Sequence, residues 1–218
     1  MSLFASLLRD FRRTASDLPG LFSGHFCVMF LPLAPLLGDE ATLPGYYSDQ
    51  TYFCRLRETH TDPLAPYRCK KHLKNSCCVI LELDGLGSFV FTNHYHSALF
   101  QNLQRRFPGV TSYVFASDGP GGYFKILKDG RIQRKVASYM YFEGMGSYAE
   151  TRGAPCAYEL ETGHIFKVDP KARHLREMMP DFTKREVLDL FDYYVGLDRF
   201  QSEALRRTLV YDLESPNT

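Results

Sequence analysis

Six cysteines (Cys27, Cys54, Cys69, Cys77, Cys78 and Cys156) and seven histidines are the side chains best suited to hold a metal or start a nucleophilic reaction. Cys54, Cys69, Cys77 and Cys78 lack the paired C-x₂-C knuckles of structural zinc sites. His94-x-His96 has neither an H-E-x-x-H frame nor a fixed carboxylate beside it, so it reads as a solvated strand-to-helix junction. Cys156 follows Pro155 and His164 follows Gly163, which makes both loop-placed candidates for a Cys–His dyad. Most cysteines so placed are packing residues, and there is no G-x-S-x-G nucleophile elbow. Gly119, Gly121 and Gly122 imitate a phosphate loop. They run into a strand rather than a helix N-terminus, with no Gly-Lys-Ser/Thr, so they read as a hairpin turn. The residues point to no metal, no cofactor and no catalytic group.

Carboxylates are the remaining chemistry. Glu143, Glu150, Glu159 and Glu161 occupy one segment rich in glycine and tyrosine. Glycosidic hydrolysis needs two carboxylates at a set separation, and nothing in the spacing fixes one. The segment reads instead as an acidic edge, which is also what a surface facing a basic cleft would present. Tyr139, Tyr141 and Tyr148 would add rigid contact area around it. Tyr67 to Asn75, with Arg68, Lys70, Lys71 and Lys74, reads as a solvated helix or as a patch for an anionic partner.

Composition narrows the classes further. Lys+Arg is 26 against Asp+Glu 25, a net charge of +1, so the basic excess of a dedicated nucleic-acid binder is missing. Hydrophobic residues at 44% and charged residues at 23% suit a globular chain rather than a disordered one. Six cysteines in 218 residues are too sparse for a disulfide scaffold, so reduced thiols in a cytoplasmic protein are expected. Arg9, Arg12 and Arg13 interrupt the amphipathic start, unlike a secretory signal. The longest apolar run, 26–37, contains Pro32 and Pro35. It falls short of the roughly 20 residues that span a bilayer, so no membrane is expected.

These residues must be positioned by elements that the patterning partly reveals. Leu3, Phe4, Leu7, Leu8 and Phe11 share a helical face. Strands are predicted over 22–30, 77–83, 88–92, 110–116, 123–128 and 131–142. Asp84-Gly85 and Asp129-Gly130 supply the turns of two hairpins, and Gly144 to Gly146 is expected to end the meander. The stretch 32–66 is rich in prolines and glycines and reads as a long irregular region with at most a short strand at 52–57. Helices are predicted over 96–107 and 183–195. Thr183 and Glu186 form a capping box at the start of the second, and Gly196 stops it. Asp198 is expected to cap a last helix carrying Phe200, Leu205 and Leu209. The expected architecture is a single α+β domain, 1–218, with a mostly antiparallel sheet, helices packed on one side and helices at the C-terminus.

The stretch from Gly109 to Val195 combines a strand, a glycine turn and the hairpin Tyr123-Phe124-Lys125-Ile126-Leu127-Lys128-Asp129-Gly130-Arg131-Ile132-Gln133-Arg134. An acidic segment from Gly146 to Glu161 follows, and the run closes on Phe182-Thr183-Lys184-Arg185-Glu186-Val187-Leu188-Asp189-Leu190-Phe191. This layout resembles the immunity proteins encoded beside bacterial antagonistic toxins, including those of contact-dependent and type VI secretion systems. The resemblance implies a toxin inhibitor that binds its cognate toxin and covers the active site, with no shared catalytic residues. The alternative is a hydrolase or transferase with a site near the 32–66 region. A deep apolar cleft with converging titratable groups would favour the enzyme, and an exposed face of tyrosine and acid would favour the binder.

Overall fold

The computed structural model describes residues 25–33, 37–44, 51–61, 77–92, 97–118, 121–142, 146–168, 183–200 and 205–214. The helix expected near the N-terminus, the basic stretch 67–75, the His94/His96 pair and Glu143 lie outside the described residues. Ten strands form one sheet: β1 (His25–Leu31), β2 (Glu40–Pro44), β3 (Thr51–His60), β4 (Cys77–Leu83), β5 (Gly87–Thr92), β6 (Thr111–Asp118), β7 (Gly121–Lys128), β8 (Arg131–Phe142), β9 (Gly146–Arg152) and β10 (Leu205–Glu214). Their order is β2-β3-β10-β4-β5-β1-β6-β7-β8-β9, and every pairing is antiparallel. Among the described residues the helices are α1 (Ser97–Arg105), α2 (Ala157–Thr162) and α3 (Lys184–Val195).

The hairpins follow local turn chemistry. Asp129 and Gly130 adopt φ values of 52° and 68°, the two positive angles that a two-residue turn between twisted strands requires. A Cβ on Gly130 would also collide with the Arg105 side chain of α1. The turn is tied to that helix. The buried Gln104 side chain accepts from the Gly130 amide and donates to the Val110 carbonyl, and Asp129 accepts from the Gly109 amide at 2.8 Å.

Strands near the middle of the sheet are apolar on both sides because both sides are covered. In β5 all six residues are buried. Val28, Phe30, Val79, Phe89, Phe91, Phe115 and Phe124 face one way, toward Val187, Leu190 and Phe191 of α3. Cys27, Met29, Ile80, Val90 and Val114 face the other, toward Leu99, Phe100 and Leu103 of α1. The two helices therefore sit on opposite faces, which corrects the expectation of helices on one side. The physical reason is that alternate residues of each strand are equally apolar, so each face needs a cover. Helix α1 touches both β7 and β2. A flat sheet would hold those strands about 30 Å apart at the usual strand spacing, whereas nine helical residues span only about 13 Å. The sheet accordingly curls, with α1 inside the curve and α3 outside it.

Three further expectations are corrected. The 32–66 region holds two paired strands, with Glu40–Pro44 lying against residues 51–55 of β3. The meander does not end at Gly146, because β9 pairs with β8 from Phe142↔Gly146 to Lys135↔Arg152. The C-terminal segment is a strand rather than a helix. Asp198 lies in a single 3-10 turn, Leu197–Arg199, and residues 205–214 insert between β3 and β4. Arg207 bonds both carboxylate oxygens of Glu82 on β4 at 2.5 and 3.2 Å, and Asp212 accepts from Arg57 on β3 at 2.6 Å.

Replacing Gly130 by alanine is expected to destabilise the fold by about 1–2 kcal/mol, since it adds left-handed backbone strain to the clash with Arg105. Urea unfolding of the variant beside wild type measures this.

Candidate functional site

The acidic segment splits into three environments. Glu159 is fully buried on the outer face of the sheet, in the first turn of α2. Arg134, buried on β8, grips it with Nε to Oε2 at 2.9 Å and Nη2 to Oε1 at 2.5 Å. The remaining guanidinium protons go to the Gly153 carbonyl at 3.0 Å, the Arg152 carbonyl at 3.4 Å and the Phe166 carbonyl at 3.0 Å. Glu159 also accepts from the backbone amides of Cys156 (2.8 Å) and Phe166 (3.0 Å). Burial alone pushes this carboxyl up. The hydrogen bonds from Arg134 and Cys156 outweigh burial and hold it below the ordinary carboxylate range. Gly153 permits the arrangement, because a Cβ there would strike the Gln133 carbonyl of β8. Glu159 is thus a fastener joining β8, the turn after β9, α2 and Phe166, and it belongs to no solvated edge.

Glu150 lies on β9 opposite Ala137, whose side chain belongs to the inner core, and forms an ion pair with Lys135. Glu161 lies on α2, on the outer side, and accepts a hydrogen bond from the Tyr193 hydroxyl of α3. Glu150 and Glu161 therefore stand on opposite faces of the sheet. Tyr139 and Tyr141 lie within β8, and Tyr148 lies opposite Met140 on β9. Their side chains, like Glu143, lie outside the described structure.

Around α2 and α3 the tyrosines form a linked group that the sequence reading did not single out. Tyr158 meets Tyr193 edge-on at 5.2 Å, Tyr193 meets Tyr194 edge-on at 5.0 Å, and Tyr194 stacks on Tyr113 at 4.9 Å. The Tyr194 hydroxyl accepts from the Tyr158 amide at 3.4 Å. At the outer end of this group, Leu160 is 67% exposed and Tyr193 is 43% exposed, the large apolar residues left most open among those described. The capping box at Thr183–Glu186 fixes where α3 starts, and Gly196 ends it in the left-handed conformation, donating to the Asp192 carbonyl at 2.6 Å. The only local hint of this corner was the run Asp192-Tyr193-Tyr194 at the polar edge of the α3 stripe.

Nucleophilic chemistry finds no support among the described residues. Cys156 is buried at the start of α2, and burial pushes its thiol up. Burial likewise pushes the Cys54 thiol up to about 11. His164 is half-exposed, lies tilted against the Phe166 ring at 4.7 Å and stands 3.8 Å from Glu186. Cys27, Cys54, Cys78 and Cys156 are buried and form no disulfide, and no group of three metal-ligating side chains converges among the described residues. A depression of about 260 Å³ lies between Pro32, Leu33, Glu82 and Gly87, beside the region suggested for an enzyme site. Its buried carboxylate, Glu82, is already held at both oxygens by Arg207. No helix among the described residues is long and apolar enough to cross a membrane.

On the inner face, Lys125 of β7 lies with its Nζ 4.3 Å from the centre of the Tyr123 ring. Burial, and next the neighbouring Lys135, push its ammonium down to about 8.

Two outcomes follow from these pairs. Arg134→Met or Glu159→Leu alone should cost about 3–5 kcal/mol, since each strands a buried charge, while the double variant should cost clearly less than their sum. A denaturation double-mutant cycle reads this coupling. For Lys125, the folded value lies below the unfolded one, so the unfolded chain binds more protons between pH of about 8 and 10.5 and stability rises with pH there. Wild type should therefore gain stability relative to Lys125→Met between pH of about 7.5 and 9.5, measured by urea unfolding across that range.

Comparison with known proteins gives no match: no family model fits the chain, and no curated protein or solved structure is significantly similar to it.

Proposed function

We propose that this chain is an immunity protein: it binds a cognate antibacterial toxin in the cytoplasm and blocks the toxin's active site, docking through the corner of α2 and α3. The observation that carries the reading is the exposure of Leu160 on α2 and of Tyr193 on α3, the latter beside a carboxylate. Glu161 is bonded to Tyr193, and along the helix that carries Tyr193 lie Glu186, bonded to its cap Thr183, and Asp189, paired with Arg185. An aromatic and an aliphatic anchor, the aromatic one beside a carboxylate, suit a basic cleft, of the kind that enzymes acting on nucleic acids or nucleotides present. The anchor is rigid before binding, because Tyr193 is packed against Tyr158 and Tyr194, which lowers the entropy lost on docking. The layout of residues 109–195 supports the same reading, and the α2–α3 corner falls inside it.

The test is co-expression with the toxin-like gene next to this one. The protein should rescue growth and co-purify with the toxin at a fixed ratio. Leu160→Asp, at the most exposed position, should weaken binding by at least about tenfold, roughly 1.4 kcal/mol, with an unchanged melting temperature. Charge reversal at Glu161 and Asp189 should slow association, and added salt should slow wild type likewise. Rescue at sub-stoichiometric amounts without a stable complex would mean the protein acts as an enzyme, and the reading would be wrong.

A further inference from the structure

The inner face carries a charge arrangement that neither the docking corner nor the core explains. Lys125 of β7 is the direct cross-strand partner of Lys135 on β8, and Lys135 is the direct partner of Arg152 on β9. Direct partners on antiparallel strands project to the same face, and like charges so placed repel. Three cations thus stand in one row over three neighbouring strands. Among the described residues one carboxylate, Glu150, answers them by pairing with Lys135. Lys125 rests on the Tyr123 ring and has no carboxylate partner among the described residues. Among the described residues Lys125 and Arg152 are left as two positive charges with no carboxylate paired to them.

Its burial is graded. Lys125 is partly buried, the Lys135 side chain is 14% exposed, and Arg152 is exposed on β9, the last strand of the sheet. The row therefore opens toward solvent at the sheet edge and closes inward on an aromatic ring.

We propose that Lys125, Lys135 and Arg152 form a binding site for a phosphate-type oxyanion, with the Arg152 fork receiving it at the sheet edge and the two lysines supplying point charges deeper in. A phosphate dianion matches the charges of Lys125 and Arg152. Arginine offers planar paired donors to such an anion, and lysine a compact charge. The anion could be inorganic phosphate or the phosphate of a nucleotide, and the chemistry of the site is the same for both. The groups that face Lys125 are Lys135, Glu150, Cys27 and Tyr123. With its ammonium titrating at about 8 in the free protein, an anion beside it restores the proton. Binding near pH 8 must then take up a proton, which an exposed lysine would not require. The site lies on the face opposite α2 and α3, so it stands or falls independently of the toxin-binding reading.

The experiment is calorimetric titration of the full chain at pH 8 with inorganic phosphate and, in a second arm, with AMP, each in two buffers of different ionisation enthalpy. Expected are saturable one-to-one binding and uptake of up to about half a proton per anion. Affinity should also fall by up to about tenfold from pH 7 to pH 9. Lys125→Met should abolish the proton uptake. Arg152→Ala, at an exposed side chain where folding is not at risk, should weaken binding several-fold. Tighter binding of AMP would identify a nucleotide as the source, and equal or weaker binding the free anion; either supports the site. Binding that does not saturate, takes up no proton, or ignores both substitutions overturns it.

Discussion

A sheet whose middle strands are apolar on both faces must be covered twice, and among the described residues α1 and α3 lie on opposite faces of it. Helix α3 covers β6, β7 and β8 from outside, aided by Phe166 and Phe200. On the inner side the nine residues of α1 reach both β2 and β7, so the sheet bends around them. The Gln104 clamp at the end of α1 and the Gly130 turn it holds are local consequences of that bend. So is the burial of Cys54, far along the strand order, in the same cluster as Leu99 and Phe100.

The buried ion pair of the outer face is admitted with its bonds complete. Arg134 and Glu159 satisfy one another and five backbone groups besides. Such a closed network tolerates burial because neither charge is left to bear its desolvation alone. Lys125 is the contrasting case, an amine on the inner face held by an aromatic ring instead of a counter-ion. The outer corner is a third case, in which Leu160 and Tyr193 are left open and the Tyr193 hydroxyl is bonded to Glu161.

What was legible in the sequence was local. Asp129-Gly130, Asp84-Gly85, the Thr183–Glu186 box and the Gly196 stop each act within a few residues, and each stands where the residue types put it. What was not legible depends on partners distant along the chain. Leu205 and Leu209 are four apart, which fits a helix as well as a strand. The pairing of Arg207 with Glu82 and of Asp212 with Arg57 is what gives β10 its place, and no window around residue 205 contains Glu82 or Arg57. Glu159 departs from the expected acidic edge for the same reason. Glu159 looks like its neighbours Glu150 and Glu161 until Arg134, twenty-five residues earlier, is seen to hold it.

The position of β10 has a consequence for how the protein is made. Synthesis delivers β3 and β4 long before the strand that must lie between them. Until residues 205–214 leave the ribosome, both strands present bare hydrogen-bonding edges, and the β2–β3 hairpin has no seat in the sheet. The segment β4-β5-β1-β6-β7 can assemble earlier from pairings available by Lys128. The nascent chain therefore passes through a stage with a formed centre and two orphaned strands, the state in which unpaired edges invite association with other chains. Insertion of β10 ends that exposure, and it is the step that commits the molecule to its native form.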